Sequence, residues 1–379
     1  MTLCSGASLI ARSMDRGTDG RWSLRVIIRT VSRCGNRAGS GLALAAAAIA
    51  MLVAAPSAPA STAVTQPPQP ESGPGGSDYA HDDWRVSAGG EGADAWFTFE
   101  PVKPRPKKAP LAVIMHGYYE FAGYDSMYEL IRHTVRQGNV VIYPRWQTGT
   151  ATPCPGPFDI EPCIDSAGAG IDGGLDHLRS SKKRVRPDLK RASYLGFSFG
   201  AIVTANMTNR YVELGLPKPR AIFLEDPHDG GLDGQGEPAL DDDLSGIPPK
   251  TLVQCHSSAD GVVSRPEKET SSCNAVFPKL GSIPAKNKDL VMALPDDHGG
   301  PALTAEHGVC AAAPGQANAY DWNFCWKVWD AMRDCAYAER HCKYALGDTA
   351  RHRSNGEWSD GTPIAPLKIR EKAPIQPPR

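Results

Sequence analysis

The sequence predicts an α/β protein built on a mostly parallel central sheet with helices on both faces, and three observations predict it. Short, almost wholly apolar runs alternate with helix-like patterns along most of the chain, the order a parallel sheet needs because each crossover takes a helix. Those runs do not alternate apolar with polar, so their strands are covered on both faces. One of them, 192–195, passes into a helix-like run through Gly196-Phe197-Ser198-Phe199-Gly200, a strand-to-helix junction of the G-x-S-x-G type.

The chain has 379 residues, enough for one large domain or two ordinary ones. It opens with an arginine-bearing lead (12–37), an alanine-rich apolar run (41–55) and Ala58-Pro59-Ala60. That order reads as a secretory signal over 1–60 with cleavage after Ala60. The apolar run is shorter than the ~20 residues a bilayer-spanning helix needs, so no stable membrane span is expected once the signal is removed. An uncleaved anchor is the rival reading. Residues 61–78 are Pro-, Gly- and Ser-rich and too poor in apolar side chains to pack, so a flexible linker is expected there. Residues 79–379 then form a single domain.

Within that domain 84–88 and 95–100 alternate around a turn-rich stretch and predict an antiparallel hairpin at one edge. A strand at 111–115, a helix at 124–137 and a strand at 140–143 follow. Next come a helix around 169–180, the strand 192–195, and a helix over 201–214. Strands are expected at 221–224, 251–254 and 289–294. A last helical stretch, 320–344, carries Trp322, Phe324, Trp326, Trp329, Met332 and Tyr337. Aromatics at that spacing read as a buried helix face, with a ligand cleft as the rival.

Without residues 1–60 the chain holds 34 basic and 40 acidic residues. No basic patch of the kind that binds nucleic acid is visible, and a monomer is expected. Eight of the ten cysteines remain, an even number that suits a disulfide framework in an exported chain. Closeness in sequence suggests Cys154 with Cys163, Cys255 with Cys273, Cys310 with Cys325, and Cys335 with Cys342. No C-x-x-C or histidine pair with zinc spacing appears, so no metal is expected.

Ser198 is the candidate nucleophile, since a sharp strand-to-helix turn lifts its oxygen clear of the sheet and the flanking glycines remove side chains from a tight turn. A serine hydroxyl needs a base to take its proton and a third group to orient that base. Asp260, in Ser258-Ala259-Asp260-Gly261 after the strand 251–254, is the expected acid, with Glu225 and Asp226 as fallbacks. His298, in Asp297-His298-Gly299 after the strand 289–294, is the expected base, and His307 is its rival. His116 precedes the elbow and is read as supporting a turn. The backbone N–H groups of Tyr118 and Phe199 are the expected oxyanion donors, each worth roughly 3 kcal/mol of barrier.

With His116-Gly117, Gly196-Phe-Ser-Phe-Gly200, Ser258-Ala-Asp260 and Asp297-His298-Gly299 in that order, the chain resembles the α/β-hydrolase superfamily from about residue 80 to about residue 345. It is most similar to the secreted bacterial esterases and lipases, including the polyester-hydrolase and acetylhydrolase-like branches. The resemblance implies hydrolysis of small-molecule or polymeric carboxylic esters through an acyl-enzyme, without a cofactor. The chain departs from it at Phe199, where many polyesterases have methionine, and in a longer, cysteine-rich segment after the histidine. A peptidase or amidase of the same fold, and a non-catalytic secreted binding protein, are the alternative readings. Between the strands at 221–224 and 251–254 the chain is short and rich in Gly, Asp and Pro, so only a minimal lid is expected. Its acidic run reads as a solvated loop, with calcium binding as the rival.

Overall fold

Apolar residues at successive strand positions require cover on both faces of a sheet, because neighbouring side chains point to opposite sides. The computed structural model describes residues 8–16, 22–30, 63–154, 159–228, 240–263, 265–266, 268 and 271–378, and it divides into Met1–Ala60 and Ser61–Arg379. In the first unit β1 (Ser8–Arg16) pairs antiparallel with β2 (Trp22–Thr30). Both strands fall within the expected export segment, whose apolar run at 41–55 and cleavage position after Ala60 lie outside the described residues.

The second unit runs β3 (Trp84–Gly89), β4 (Trp96–Pro101), β5 (Lys108–Met115), α1 (Tyr128–Arg136), β6 (Val140–Pro144), α2 (Glu161–Arg179), β7 (Arg186–Phe197) and α3 (Phe199–Asn209). It continues through β8 (Pro219–Glu225), β9 (Leu252–Ser258), α4 (Ser272–Val276), β10 (Lys288–Ala293), α5 (Trp326–Ala338), α6 (Ala350–Arg353) and β11 (Lys368–Arg370). Nine strands make one sheet in the order β11-β10-β9-β8-β7-β5-β6-β4-β3. The six central strands, from β10 to β6, are parallel to their neighbours, while β3, β4 and β11 add antiparallel edges. The expected hairpin is β3 and β4; β11 went unpredicted because three residues carry no readable period.

Each face of this sheet has its own core. Along β5, Leu111, Val113 and Met115 pack with Ile164, Ala167 and Ile171 of α2 and Ile202 of α3. Ala112 and Ile114, between them, pack with Leu130 and Ile131 of α1 and with Trp329 and Met332 of α5. Helices therefore cover both faces, and each fully buried Leu, Ile, Phe or Met there contributes about 1.5–3 kcal/mol of transfer free energy.

The aromatic stretch is core. Phe324, Trp326, Trp329 and Met332 are buried; the Trp326 ring stacks on His133 of α1 at 4.5 Å, and Trp329 Nε1 donates to Thr134 Oγ1 at 3.1 Å. The helix is shorter than the predicted 320–344. A π-helical turn, Asp321–Cys325, precedes α5, and after Ala338 the left-handed Glu339 and His341 (φ 56° and 58°) end it, with Cys335 bonded back to Cys342. The other three disulfides join Cys154 to Cys163, Cys255 to Cys273 and Cys310 to Cys325.

One expectation is corrected by the fold. Residues 63–78 are not a free linker but lie along the domain, held by hydrogen bonds and by Val64, which packs against the cluster of Leu303, Tyr320, Trp358 and Ile364. Gly75 N–H donates to Asp330 Oδ2 at 2.9 Å, Ala319 N–H to Gln66 Oε1 at 3.0 Å, and Gly300 N–H to the Val64 carbonyl at 2.9 Å. Composition is blind to this kind of tether, because any backbone can supply it. Among the described residues no helix is long and apolar enough to cross a membrane.

Candidate active site

β7 ends at Phe197 and α3 begins at Phe199, leaving Ser198 alone at the junction with φ 56° and ψ −124°. An L-residue holds such a backbone only when its surroundings impose it. Ser198 N–H donates to the Glu225 carbonyl at 2.9 Å, and the Ser198 carbonyl accepts from Ala201 N–H at 2.9 Å and from His228 N–H at 3.2 Å. The two glycines are required by contact: a Cβ on Gly196 would stand 2.3 Å from the Gly200 carbonyl oxygen, and one on Gly200 would stand 2.1 Å from that of His116. The end of β5 thus lies directly against the start of α3.

One side chain meets the serine, and a second stands behind it. His307 Nε2 lies 2.9 Å from Ser198 Oγ, and His307 Nδ1 lies 2.8 Å from Asp226 Oδ2. With Asp226 accepting from Nδ1–H, Nε2 keeps its lone pair toward the serine hydroxyl, the arrangement a general base needs. Asp226 is completely buried. It follows β8 with φ 48°, its N–H donates to the His256 carbonyl at 2.8 Å, and its Oδ1 accepts from Ser258 N–H at 3.3 Å. The His307 side chain is 15% exposed and Ser198 6%; solvent reaches this line of three only at its open end.

The acid and base expected from the sequence are elsewhere. His298 Nε2 is bonded to Asp360 Oδ2 at 2.8 Å on the surface, and Asp260 is exposed, bound into the fold through its N–H to the Ala305 carbonyl at 2.8 Å. Neither reaches Ser198, so Asp260 and His298 are replaced at this position by Asp226 and His307. Two physical reasons account for the change. β8 is the immediate neighbour of β7 whereas β9 lies one strand further out, and adjacent strands are only about 4.8 Å apart. The chain after β10 also folds on itself, Asp296 and Leu303 exchanging N–H to carbonyl bonds at 2.8 Å each. His298 sits at the tip of that loop, and the return leg brings His307 back to the serine.

The His-Gly turn after β5 lies against the elbow, since a Cβ on Gly117 would stand 3.3 Å from Ser198 Cβ. Among the described residues no acceptor takes the N–H of Tyr118 or of Phe199, and their rings meet edge to face at 5.5 Å. The His116 ring is buried, stacked on Trp146 at 4.6 Å with Nδ1 2.7 Å from the Gly117 carbonyl, and burial pulls its pKa down to about 4. It supports the turn, as expected.

One residue beside the site was not expected from the sequence: Glu120. Its Oε2 accepts from Gly117 N–H at 2.9 Å, and its own N–H donates to the Gly117 carbonyl at 3.2 Å. The carboxylate three positions after the glycine in Gly117-Tyr-Tyr-Glu120 was the available clue. Behind the site, burial and the charge of Asp226 push the Glu225 carboxyl well above the usual carboxylate range, and burial draws His256 down to about 4. Glu225, His256 and Cys310 are the one group of possible metal ligands among the described residues, their ligand atoms within 4.8 Å. Cys310 is bonded to Cys325 and has no thiolate to offer a metal. Of the segment expected as a minimal lid or calcium loop, 229–239 lie outside the described residues.

No protein-family model matches the chain, and no curated protein matches it.

Proposed function

We propose that this chain is a serine hydrolase of the α/β-hydrolase type that cleaves carboxylic esters through an acyl-enzyme. Ser198 Oγ attacks the ester carbonyl as His307 Nε2 takes its proton, and Asp226 stabilises the imidazolium so formed. The negative oxygen of the tetrahedral intermediate is met by the N–H groups of Tyr118 and Phe199. His307 then gives its proton to the leaving alcohol, and in the second half activates the water that releases the acid. The observation that carries this reading is the unbroken line from Ser198 Oγ through His307 to buried Asp226, at 2.9 and 2.8 Å, on a serine held in a left-handed backbone. Ester rather than amide substrates follow from the resemblance. Export belongs to the same proposal and is supported by four disulfides, which persist in oxidising compartments.

The test is labelling by a fluorophosphonate probe together with turnover of p-nitrophenyl esters and the matching anilides. The expected result is label at Ser198, turnover of esters, and loss of both in Ser198→Ala and His307→Ala. A folded wild-type protein that neither labels nor turns over would refute the proposal in favour of a binding protein. Turnover of the anilides at rates matching the esters would move it to the amidase reading.

A further inference from the structure

Resting on the serine-hydrolase reading, the geometry points to Glu120 as a positioning residue of this site: its carboxylate holds the turn that presents the Tyr118 N–H. Glu120 meets both backbone groups of Gly117. Its Oε2 accepts from Gly117 N–H at 2.9 Å and its N–H donates to the Gly117 carbonyl at 3.2 Å, which His116 Nδ1 also meets at 2.7 Å. The first bond holds the peptide before Gly117, and those to the carbonyl hold the Gly117–Tyr118 peptide that carries the Tyr118 N–H. By occupying the Gly117 N–H, the carboxylate leaves the next N–H, that of Tyr118, as the one free to meet an oxyanion. A donor serves catalysis only if it is aimed before the charge develops, and a loop after a strand has no ladder of its own to aim it.

Burial raises the Glu120 carboxyl, and the Gly117 N–H, Ser126 and the charge on His307 lower it. The groups around His307 are Asp226 at 2.8 Å, the His228 ring at 6.3 Å, the Phe197 ring at 5.0 Å, buried His256 and Glu120. Around Glu120 are also Tyr143 and buried Glu225, both of which feel its charge. Asp226 touches His307 directly and is the carboxylate placed to favour the imidazolium of the transition state.

Glu120→Gln and Glu120→Ala test this in the full chain, read by kcat and KM for p-nitrophenyl esters with thermal melts alongside. Glutamine keeps an acceptor for Gly117 N–H and loses the charge; alanine loses both. The expected result for Glu120→Ala is a kcat about 10–100-fold below wild type at nearly unchanged KM, the cost of a misplaced donor. Glu120→Gln should recover most of that kcat, because it keeps the acceptor. The assignment is overturned if Glu120→Ala keeps kcat within about threefold of wild type, or if Glu120→Gln restores nothing. Should the alanine variant not fold, Glu120→Met beside Glu120→Gln decides: methionine fills the space without a strong acceptor and should lower kcat at nearly unchanged KM, and wild-type kcat in both variants overturns the assignment. Fluorophosphonate labelling of wild type and Ser198→Ala distinguishes this failure from failure of the underlying reading: label at Ser198 with insensitive Glu120 variants removes only Glu120.

Discussion

Replacing Asp226 by asparagine is the sharpest perturbation of the proposed mechanism, because the surroundings of this carboxylate dictate how the amide must sit. Asp226 is completely buried and its Oδ1 accepts from Ser258 N–H at 3.3 Å, so an asparagine keeps its oxygen on that side. Its NH2 then takes the place of Oδ2, 2.8 Å from His307 Nδ1. Two donors cannot face each other, so His307 moves its proton to Nε2 and presents N–H to Ser198 Oγ, where a lone pair is required. A triad held in the wrong tautomer loses about 10⁴ in kcat, about 5.5 kcal/mol of barrier. The volume is unchanged, so the fold should survive, and a thermal melt checks this. Turnover of p-nitrophenyl butyrate by Asp226→Asn, measured beside Asp260→Asn and His298→Asn, is the assay; the two surface variants should stay within about twofold of wild type. The reasoning is refuted if Asp226→Asn keeps more than about a tenth of the activity, or if Asp260→Asn is the variant that loses it.

Other outcomes follow from the same packing. Gly200→Ala puts a Cβ 2.1 Å from the His116 carbonyl oxygen and should cost about 1–3 kcal/mol of stability, with ester turnover lost along with the elbow geometry; an unshifted melt would contradict the contact. Replacing Cys255 and Cys273 by serine opens an 18-residue loop and should cost about 3 kcal/mol in chemical denaturation. It should also lower activity, since that loop carries Ser258 and Ser272 against Asp226. Asp321 gives a pH test: burial raises its pKa to about 7, so the folded chain holds a proton that the unfolded chain releases near pH 4. Stability from this group is full below about pH 4 and is lost as pH rises to about 7, by at most about 4 kcal/mol. Asp321→Asn should therefore gain stability relative to wild type at pH 8 and not at pH 4, and equal differences at both would contradict the burial.

Much of the architecture was legible along the chain. Period and composition located the six parallel strands, because strands covered on both faces cannot hide their apolar character; β5, with Leu111 to Met115, is the plainest case. The four disulfide pairs were legible as nearest neighbours, since closing a short loop costs less entropy than closing a long one. The junction at Ser198 was legible because Gly196 and Gly200 leave no room for any other residue. The left-handed residues that stop α5 left no such trace, and neither did the backbone bonds that pin 63–78.

The sequence by itself determined the class of fold, the strand-to-helix turn that isolates Ser198, and a short set of acids and histidines at strand ends: Asp260, Glu225 or Asp226, and His298 or His307. Tertiary structure alone decided which of them stand beside the serine. Order along the chain favours the acid two strands on and the histidine directly after its strand. Distance in a sheet instead follows strand adjacency, which puts β8 and Asp226 next to β7. The Asp296–Leu303 bridge turns the chain back, carrying His298 away and returning His307. Glu120 belongs with these, since a carboxylate three positions after Gly117 only hints at a closed turn and the fold decides that it closes.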